Sequence, residues 1–328
     1  MVSEGQTQEP ANSSFQILSL DGGGIKGLFS AAALAAREED FQTRIIDHFD
    51  LITGTSTGGI IALALGSGRS PKEIVEFYRC EMGNIFPDSG LHRSLTHWVR
   101  RKYAQEPLKE ALIRILGEDV VLADSQKRLV IPSYNLARDE VYLFKTPHHE
   151  RLRRDWRVPL WQVALATSAA PIYFPASKHV GSVRHIDGGV WANNPTMVGI
   201  VEAYSMLDQP LADIKVLNIG TTTPLMNRRR FLDWGGLLQW AKYAPDVIMR
   251  AQSHGTFAQA QHLLPKDNLE RLDVIVPKGR FRLDQARVEE LIAEAAHESR
   301  IFSSRFAAKF LAHRAKPFTP LVTHGGAK

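Results

Sequence analysis

Short apolar runs that stop at a glycine cluster alternate with longer segments of helical period along most of the chain. Phe15–Leu20 (FQILSL) ends at Asp21 and three glycines, the pattern of a buried strand. Gly27–Arg37 is an alanine-rich helix, Phe49–Thr53 a second strand, and Gly58–Leu65 the start of another apolar helix. Ser70-Pro71-Lys72-Glu73 is a helix start, with a Ser cap, Pro in the first turn and Glu three residues after the cap. Ile74, Phe77, Tyr78 and Glu81 follow at helical spacing, and Gly83-Asn84 is expected to end the helix.

Further on, Leu129–Leu136 and Val141–Phe144 read as a strand pair, and Leu160–Ser168 as a helix. Val183–Ile186 is a short strand running into Asp187-Gly188-Gly189. Pro195–Leu207 is helical, Ile214–Ile219 a buried strand, Leu272–Val276 a last edge strand, and Gln285–Leu311 a long amphipathic helix. Such alternation predicts a three-layer α/β/α fold with a mostly parallel central sheet. The least regular regions, 86–106 and 221–245, are expected to hold loops or a lid. Residues 1–14 read as a disordered lead-in, 15–312 as one domain, and 313–328 as a flexible tail.

Composition narrows this little. Apolar residues make up 44% and charged residues 23% of 328, which suits a globular chain and not a disordered one. The net charge of +5 hints at anionic partners, and a basic surface kept for solubility explains it equally well. A single cysteine, Cys80, excludes an internal disulfide and a Cys-based zinc site, and is expected to pack in its helix. Leu51 to Gly68 carries no charge, but its glycines and hydroxyls break any continuous apolar surface. A strand, a tight turn and a helix are expected there rather than a span. The polar N-terminus fits no secretory signal.

Two glycine-rich turns follow predicted strands. Gly22, Gly24 and Gly27 satisfy G-x-G-x-x-G, yet no acid stands where a dinucleotide site needs one: Asp47 and Asp50 precede the second strand. The second turn, Gly54-Thr55-Ser56-Thr57-Gly58, is G-x-S-x-G between strand and helix, the setting of a nucleophile elbow. The plain alternative is a glycine-rich cap with an inert serine. In a parallel sheet both turns emerge at the carboxyl edge, so Gly22, Gly23 and Gly24 can aim backbone N–H groups beside Ser56 as an oxyanion hole. A serine needs a base. His254 and His262 fit a Ser–Asp–His order but lie in helix-like sequence; Asp187, delivered by a strand to Gly188-Gly189, has the better setting. A turn-forming aspartate is its alternative.

These motifs, with Ala166-Thr167-Ser168-Ala169-Ala170-Pro171 and Asn193-Asn194-Pro195, resemble the patatin-like phospholipase family of lipid acyl hydrolases over residues 15–220. The resemblance implies a Ser–Asp dyad without histidine. Ser56 would be nucleophile and Asp187 base, with Gly22–Gly24 and the Thr57 N–H as oxyanion hole and no metal or other cofactor. It further implies a cytoplasmic enzyme that is peripheral at the membrane when active and acts on membrane phospholipids. Compact members also resemble bacterial antiphage effectors that a cyclic nucleotide activates. The expected partners are therefore a phospholipid membrane, a cyclic nucleotide and a second copy of the chain, and no DNA or RNA. Trp156, Trp161, Ile172, Tyr173 and Phe174 are candidates for the acyl groove. Phe231, Trp234, Leu237, Leu238 and Trp240 beside Arg228-Arg229-Arg230 are candidates for docking on anionic lipid, a solvated basic loop followed by an ordinary amphipathic helix being the alternative. A lipid- or nucleotide-binding module with a silent site is the alternative of a different class.

Overall fold

Phe15–Leu20 forms strand β1, buried at every position, because it lies at the centre of the sheet with both faces covered. The computed structural model describes residues 14–87, 102–224, 233–236, 240, 243–276, 287–323 and 326–327. Strands β2 (Leu51–Gly54), β3 (Arg128–Asn135), β4 (Glu140–Lys145), β5 (His185–Asp187) and β6 (Ile214–Ile219) follow in chain order. After them come β7 (Thr223–Pro224), β8 (Leu269–Leu272) and β9 (Ile275–Val276). The main sheet has the order β4-β3-β2-β1-β6-β8, with β5 also on β3. Its strands β3, β2, β1, β6 and β8 run parallel, while β4 and β5 are antiparallel to β3.

The period of two divides the core between the faces. Leu18, Ile52 and Leu217 belong to one apolar cluster, and their neighbours Ile17, Leu51 and Val216 to the other. Helices α1 (Gly27–Phe41), α2 (Thr57–Gly66), α3 (Pro71–Ile85), α4 (Glu106–Leu116) and α5 (Leu160–Thr167) contribute to the first cluster. The short α6 (Gly189–Ala192) leads to α7 (Thr196–Met206), which with α8 (Ala244–Leu263) supplies the second. The last helix, α9 (Val288–Phe306), returns to the first face against α1. The fold is thus the expected three-layer α/β/α arrangement.

Differences from expectation have local causes. Helix α3 has the capping box, with Glu73 N donating to Ser70 Oγ at 3.2 Å and Ser70 N to Glu73 Oε2 at 2.8 Å. It runs through Gly83-Asn84 to Ile85. Cys80 is exposed rather than packed, because the buried stripe of α3 is Ile74, Val75, Tyr78, Met82 and Ile85. The expected last strand divides into β8 and β9 at Asp273, whose Oδ1 accepts from Thr222 N at 3.1 Å and Val274 N at 3.0 Å. Helix α9 gives way to a π turn over Ala307–Leu311. The segment expected as a tail runs back along the amino-terminal end of the sheet. There His313 Nε2 meets Asp50 Oδ2 at 2.7 Å and Ala315 N donates to Asp47 O at 2.8 Å. Much of the expected lids (88–101, 225–232, 237–239) lies outside the described residues, including Arg228-Arg229-Arg230, Phe231, Leu237 and Leu238.

One core residue is of the wrong polarity for its place. Arg37 is fully buried between α1 and α9, its guanidinium 5.2 Å from the Phe302 ring centroid and 5.0 Å from that of Phe306. Nη1 donates to Ala33 O and Ser299 Oγ, while Nε and Nη2 have no hydrogen-bond partner among the described residues. Burial lowers its pKa to about 10. A desolvated, half-satisfied cation is replaceable by an apolar side chain of similar length without loss. Arg37→Met is therefore expected to leave the thermal midpoint unchanged or raise it, by on the order of 1–4 kcal/mol of stability. A fall of several degrees in a calorimetric scan would show that the cation holds the helix pair together.

Candidate active site

The carboxyl ends of β2, β1 and β6 lie side by side, and each opens into a turn that reaches the same place. After Gly54 the chain crosses toward β1, Thr55 N donating to Leu20 O at 3.1 Å. It then reverses at Ser56, whose φ of 55° lies where side chains other than glycine's are strained. Helix α2 begins at the next residue. The reversal needs its glycines: a Cβ on Gly54 would lie 2.1 Å from Gly58 O, and one on Gly58 2.3 Å from Leu20 O. Ser56 N donates to Thr167 Oγ1 at 3.0 Å, and Thr167 Oγ1 donates to Pro132 O at 2.6 Å, tying the turn to the end of α5 and to β3. Ser56 Oγ donates to Asp187 Oδ2 at 2.6 Å.

Asp187 comes from the opposite direction. It is the last residue of β5, paired with Ser133 of antiparallel β3, so the strand carries the aspartate within itself and not just beyond its end. A Cβ on Gly188 would meet Pro132 O at 2.3 Å, and Gly189 N donates to Asp187 Oδ1 at 2.6 Å. Burial pushes the Asp187 carboxyl up to about 6, and the hydrogen bonds from Ser56 and Gly189 pull it down only in part.

The glycine loop after β1 differs from expectation in one donor. Gly22 N–H donates to Asn193 O at 2.9 Å, so Gly22 anchors the loop and cannot contribute its N–H to an oxyanion site. Gly23 and Gly24 N–H have no hydrogen-bond partner among the described residues, and both glycines line the cavity beside Ser56. Gly23 is packed so closely that a Cβ would lie 2.0 Å from Thr221 Oγ1. Thr57 is the first residue of α2, where a backbone N–H has no acceptor within the helix. Its side chain hydrogen-bonds to the Tyr78 hydroxyl, a group that burial raises to about 12 and so keeps protonated.

These groups open on a cavity of about 970 Å³. One side is apolar, lined by Ile60, Met82, Ile85, Phe86, Leu108 and Phe174. Of the five residues expected in a groove, Ile172, Tyr173 and Phe174 line it and Trp156 and Trp161 do not; Trp161 Nε1 instead donates to Glu118 O at 3.1 Å. His254 reaches the cavity from α8, whereas His262 does not line it. The buried His185 lies against Tyr142 and Phe144, its pKa lowered to about 4 by burial and then by Arg154. No histidine bonds to Ser56 or Asp187 among the described residues. Asp21 and Arg271, to which the sequence assigned nothing, form an ion pair at 2.9 Å beside the loop, the aspartate buried, the arginine partly exposed, and both lining the cavity. Among the described residues no helix is long and apolar enough to cross a membrane, and no group of three metal-binding side chains occurs.

A strained serine at a strand–helix turn, a carboxylate on its hydroxyl and unpaired N–H groups beside it constitute a serine hydrolase architecture on an α/β sheet. The family model described as patatin-like phospholipase matches residues 18–200, and the chain belongs to that family. It is 38% identical over 226 residues to the cGAMP-activated phospholipase of Vibrio cholerae, covering 63% of this chain and 64% of that protein. A protein of the same name in Escherichia coli is 32% identical over 342 residues, 92% of this chain and 94% of that one. Patatin-like protein 4 of Arabidopsis thaliana is 36% identical over 205 residues, 56% of this chain and 51% of the plant protein.

A buried carboxyl has a signed effect on stability. The folded value for Asp187, about 6, exceeds the ordinary 3.8, so its contribution favours the fold below the ordinary value and is lost as pH rises through about 6. At pH 8 the penalty is roughly 2–3 kcal/mol. Asp187→Asn is isosteric, its Oδ1 still accepting from Gly189 N and its Nδ2 able to donate to Ser56 Oγ in place of the bond it accepted, so it should unfold at a higher temperature than the parent at pH 8. The gap should close near pH 4. A variant less stable than the parent at pH 8 contradicts this.

Proposed function

We propose that this protein is a lipid acyl hydrolase of phospholipase A type, within a domain spanning residues 15–312, in which Ser56 is the nucleophile and Asp187 the base. The observation that carries the reading is the 2.6 Å hydrogen bond from Ser56 Oγ to Asp187 Oδ2, both lining a cavity with an apolar side. With its pKa near 6, Asp187 is mostly ionised at pH 7 yet basic enough to take the serine proton as Oγ attacks the acyl carbonyl. The carbonyl oxygen becomes an oxyanion received by the N–H groups of Gly23, Gly24 and Thr57. The C–O bond to the lysolipid then breaks, Asp187 returns its proton to the departing oxygen, and Ser56 is left acylated. Water attacks the ester as Asp187 takes its proton; the bond from the acyl carbon to Ser56 Oγ then breaks, Asp187 gives the proton to Oγ, and the fatty acid leaves.

The apolar side of the cavity suits an acyl chain, and Ile172 (62% exposed), Val190 (40%) and Ile248 (59%) line the same cavity while facing solvent. That rim supports docking at a membrane surface, with the protein cytoplasmic and peripheral when active. Two relatives named as cGAMP-activated phospholipases support activation by a cyclic nucleotide and a part in antiphage defence.

On phospholipid vesicles, Ser56→Ala and Asp187→Asn should each reduce hydrolysis by at least a thousandfold, and His254→Ala should retain most of it. Below about pH 6 the parent's kcat/KM should fall about tenfold per pH unit, because protonated Asp187 cannot accept the serine proton. A dead His254 variant beside an active Asp187 variant would overturn the dyad. Vesicle hydrolysis should rise at least tenfold when cyclic GMP–AMP is added. Full activity without any cyclic di- or trinucleotide, unchanged on adding one, would remove activation from the account.

A further inference from the structure

The glycine loop does not hold its own shape. Three backbone segments meet behind Gly23 and Gly24: the loop itself, the turn 220–223 after β6, and the end of β8. The loop is tied to the turn directly, with Asp21 N on Ile219 O at 3.0 Å, Thr221 Oγ1 on Gly22 O at 3.2 Å and Lys26 Nζ on Thr222 O at 3.1 Å. The turn is strained at Thr222, a β-branched residue at φ 74°. Asp273 holds it there, accepting from Thr222 N at 3.1 Å and from Thr223 Oγ1 at 2.8 Å.

One side chain joins both sides of this arrangement. Arg271 meets Asp21 Oδ2 at 2.9 Å through Nη1 and Asp273 Oδ2 at 2.8 Å through Nη2. Nη1 also bonds to Asn218, whose Nδ2 donates to Asp21 Oδ1 at 2.7 Å. Two carboxylates so placed repel each other without the cation between them, and Asp21 is only 3% exposed. We propose that Arg271 is a positioning residue for the acyl-transfer reaction, clamping Asp21 to Asp273 so that the Gly23 and Gly24 N–H groups point at the developing oxyanion. The inference rests on the function proposed above.

The geometry makes a specific demand on the side chain. Two carboxylates on different segments are held by the two ends of one planar fork, which lysine cannot reproduce. Burial pushes Asp21 up to about 6 even with the cation in place, so removing the charge leaves it protonated at neutral pH and its bond to Asn218 altered. The Thr221 wall against Gly23 is then free to shift, and a displacement of about 1 Å at such donors costs about a hundredfold in rate. Asp21, Arg271 and Asp273 border the same cavity, but the side chains that suit an acyl chain are others, Ile60, Met82, Ile85, Phe86, Leu108 and Phe174, so binding of a short ester should change little.

The test is steady-state kinetics on a short soluble ester, 4-nitrophenyl butyrate, which removes membrane docking from the measurement. Arg271→Gln should lower kcat ten- to a hundredfold with KM within about threefold of the parent, assayed well below its thermal midpoint. Arg271→Lys should fall between the two. The charge-free pair Asp21→Asn with Arg271→Gln should regain part of the kcat loss, whereas a purely structural role would show that coupling in the thermal midpoint and not in kcat. If Arg271→Gln does not fold, the lysine variant and the double variant decide the matter. Parental kcat in a folded Arg271 variant, or a loss confined to KM or to thermal stability, overturns the inference. Ser56→Ala in the same assay keeps the two claims apart: hydrolysis that survives it refutes the proposed function, whatever Arg271 does.

Discussion

The site depends on how closely the first turn of α2 approaches the end of β1. Gly58 sits where any side-chain carbon would strike the Leu20 carbonyl, and Gly54 where one would strike Gly58. Only with both side chains absent can the chain reverse in one residue and leave Ser56 facing outward at φ 55°. The same closeness brings the glycine loop after β1 against the serine, a Cβ on Gly22 falling 3.3 Å from Ser56 Cβ. The Ser56 hydroxyl and the Gly23 and Gly24 N–H groups are thus adjacent because two neighbouring parallel strands end together. The rest of the molecule keeps that geometry from relaxing: Thr167 holds the Ser56 N–H, Asn193 the Gly22 N–H, and the Arg271 clamp the wall behind Gly23.

The second requirement is electrostatic and opposes stability. A carboxylate able to take a proton from serine near neutral pH must be more basic than one in water, and burial supplies that basicity at Asp187. The two hydrogen bonds it accepts keep it from being expelled or permanently protonated. Asp21, equally buried, is handled differently, by a guanidinium that holds it to a structural role. Two aspartates at strand ends, each followed by glycine in the sequence, thus differ in what faces them, a serine hydroxyl at Asp187 and a guanidinium at Asp21.

Much of this was legible in the sequence because its signals are local. Apolar runs that stop at glycine gave β1, β2 and β6, Ser70-Pro71-Lys72-Glu73 gave a helix start, and three glycine motifs pointed to Ser56, Asp187 and the loop after β1. What was not legible depends on segments far apart in the chain. Nothing near Gly22 reveals that Asn193 takes its N–H, and nothing near Thr167 reveals that its hydroxyl bridges Ser56 and Pro132. Arg271 and Asp273 read as ordinary charges beside a short strand, and only the pairing of β8 with β6 brings them behind the glycine loop. Cys80 misled because its helix is apolar on one face only, and one cysteine says nothing about which face it takes.

The central claim is that Ser56, activated by Asp187 alone, is the group that reacts with an acyl ester. The most direct measurement is the rate and position of covalent modification by a long-chain fluorophosphonate, followed by intact mass and peptide mapping. A single adduct is expected at Ser56, formed at the parental rate in His254→Ala and at least a hundredfold more slowly in Asp187→Asn. An adduct at another residue, or labelling of Asp187→Asn at the parental rate, would contradict it.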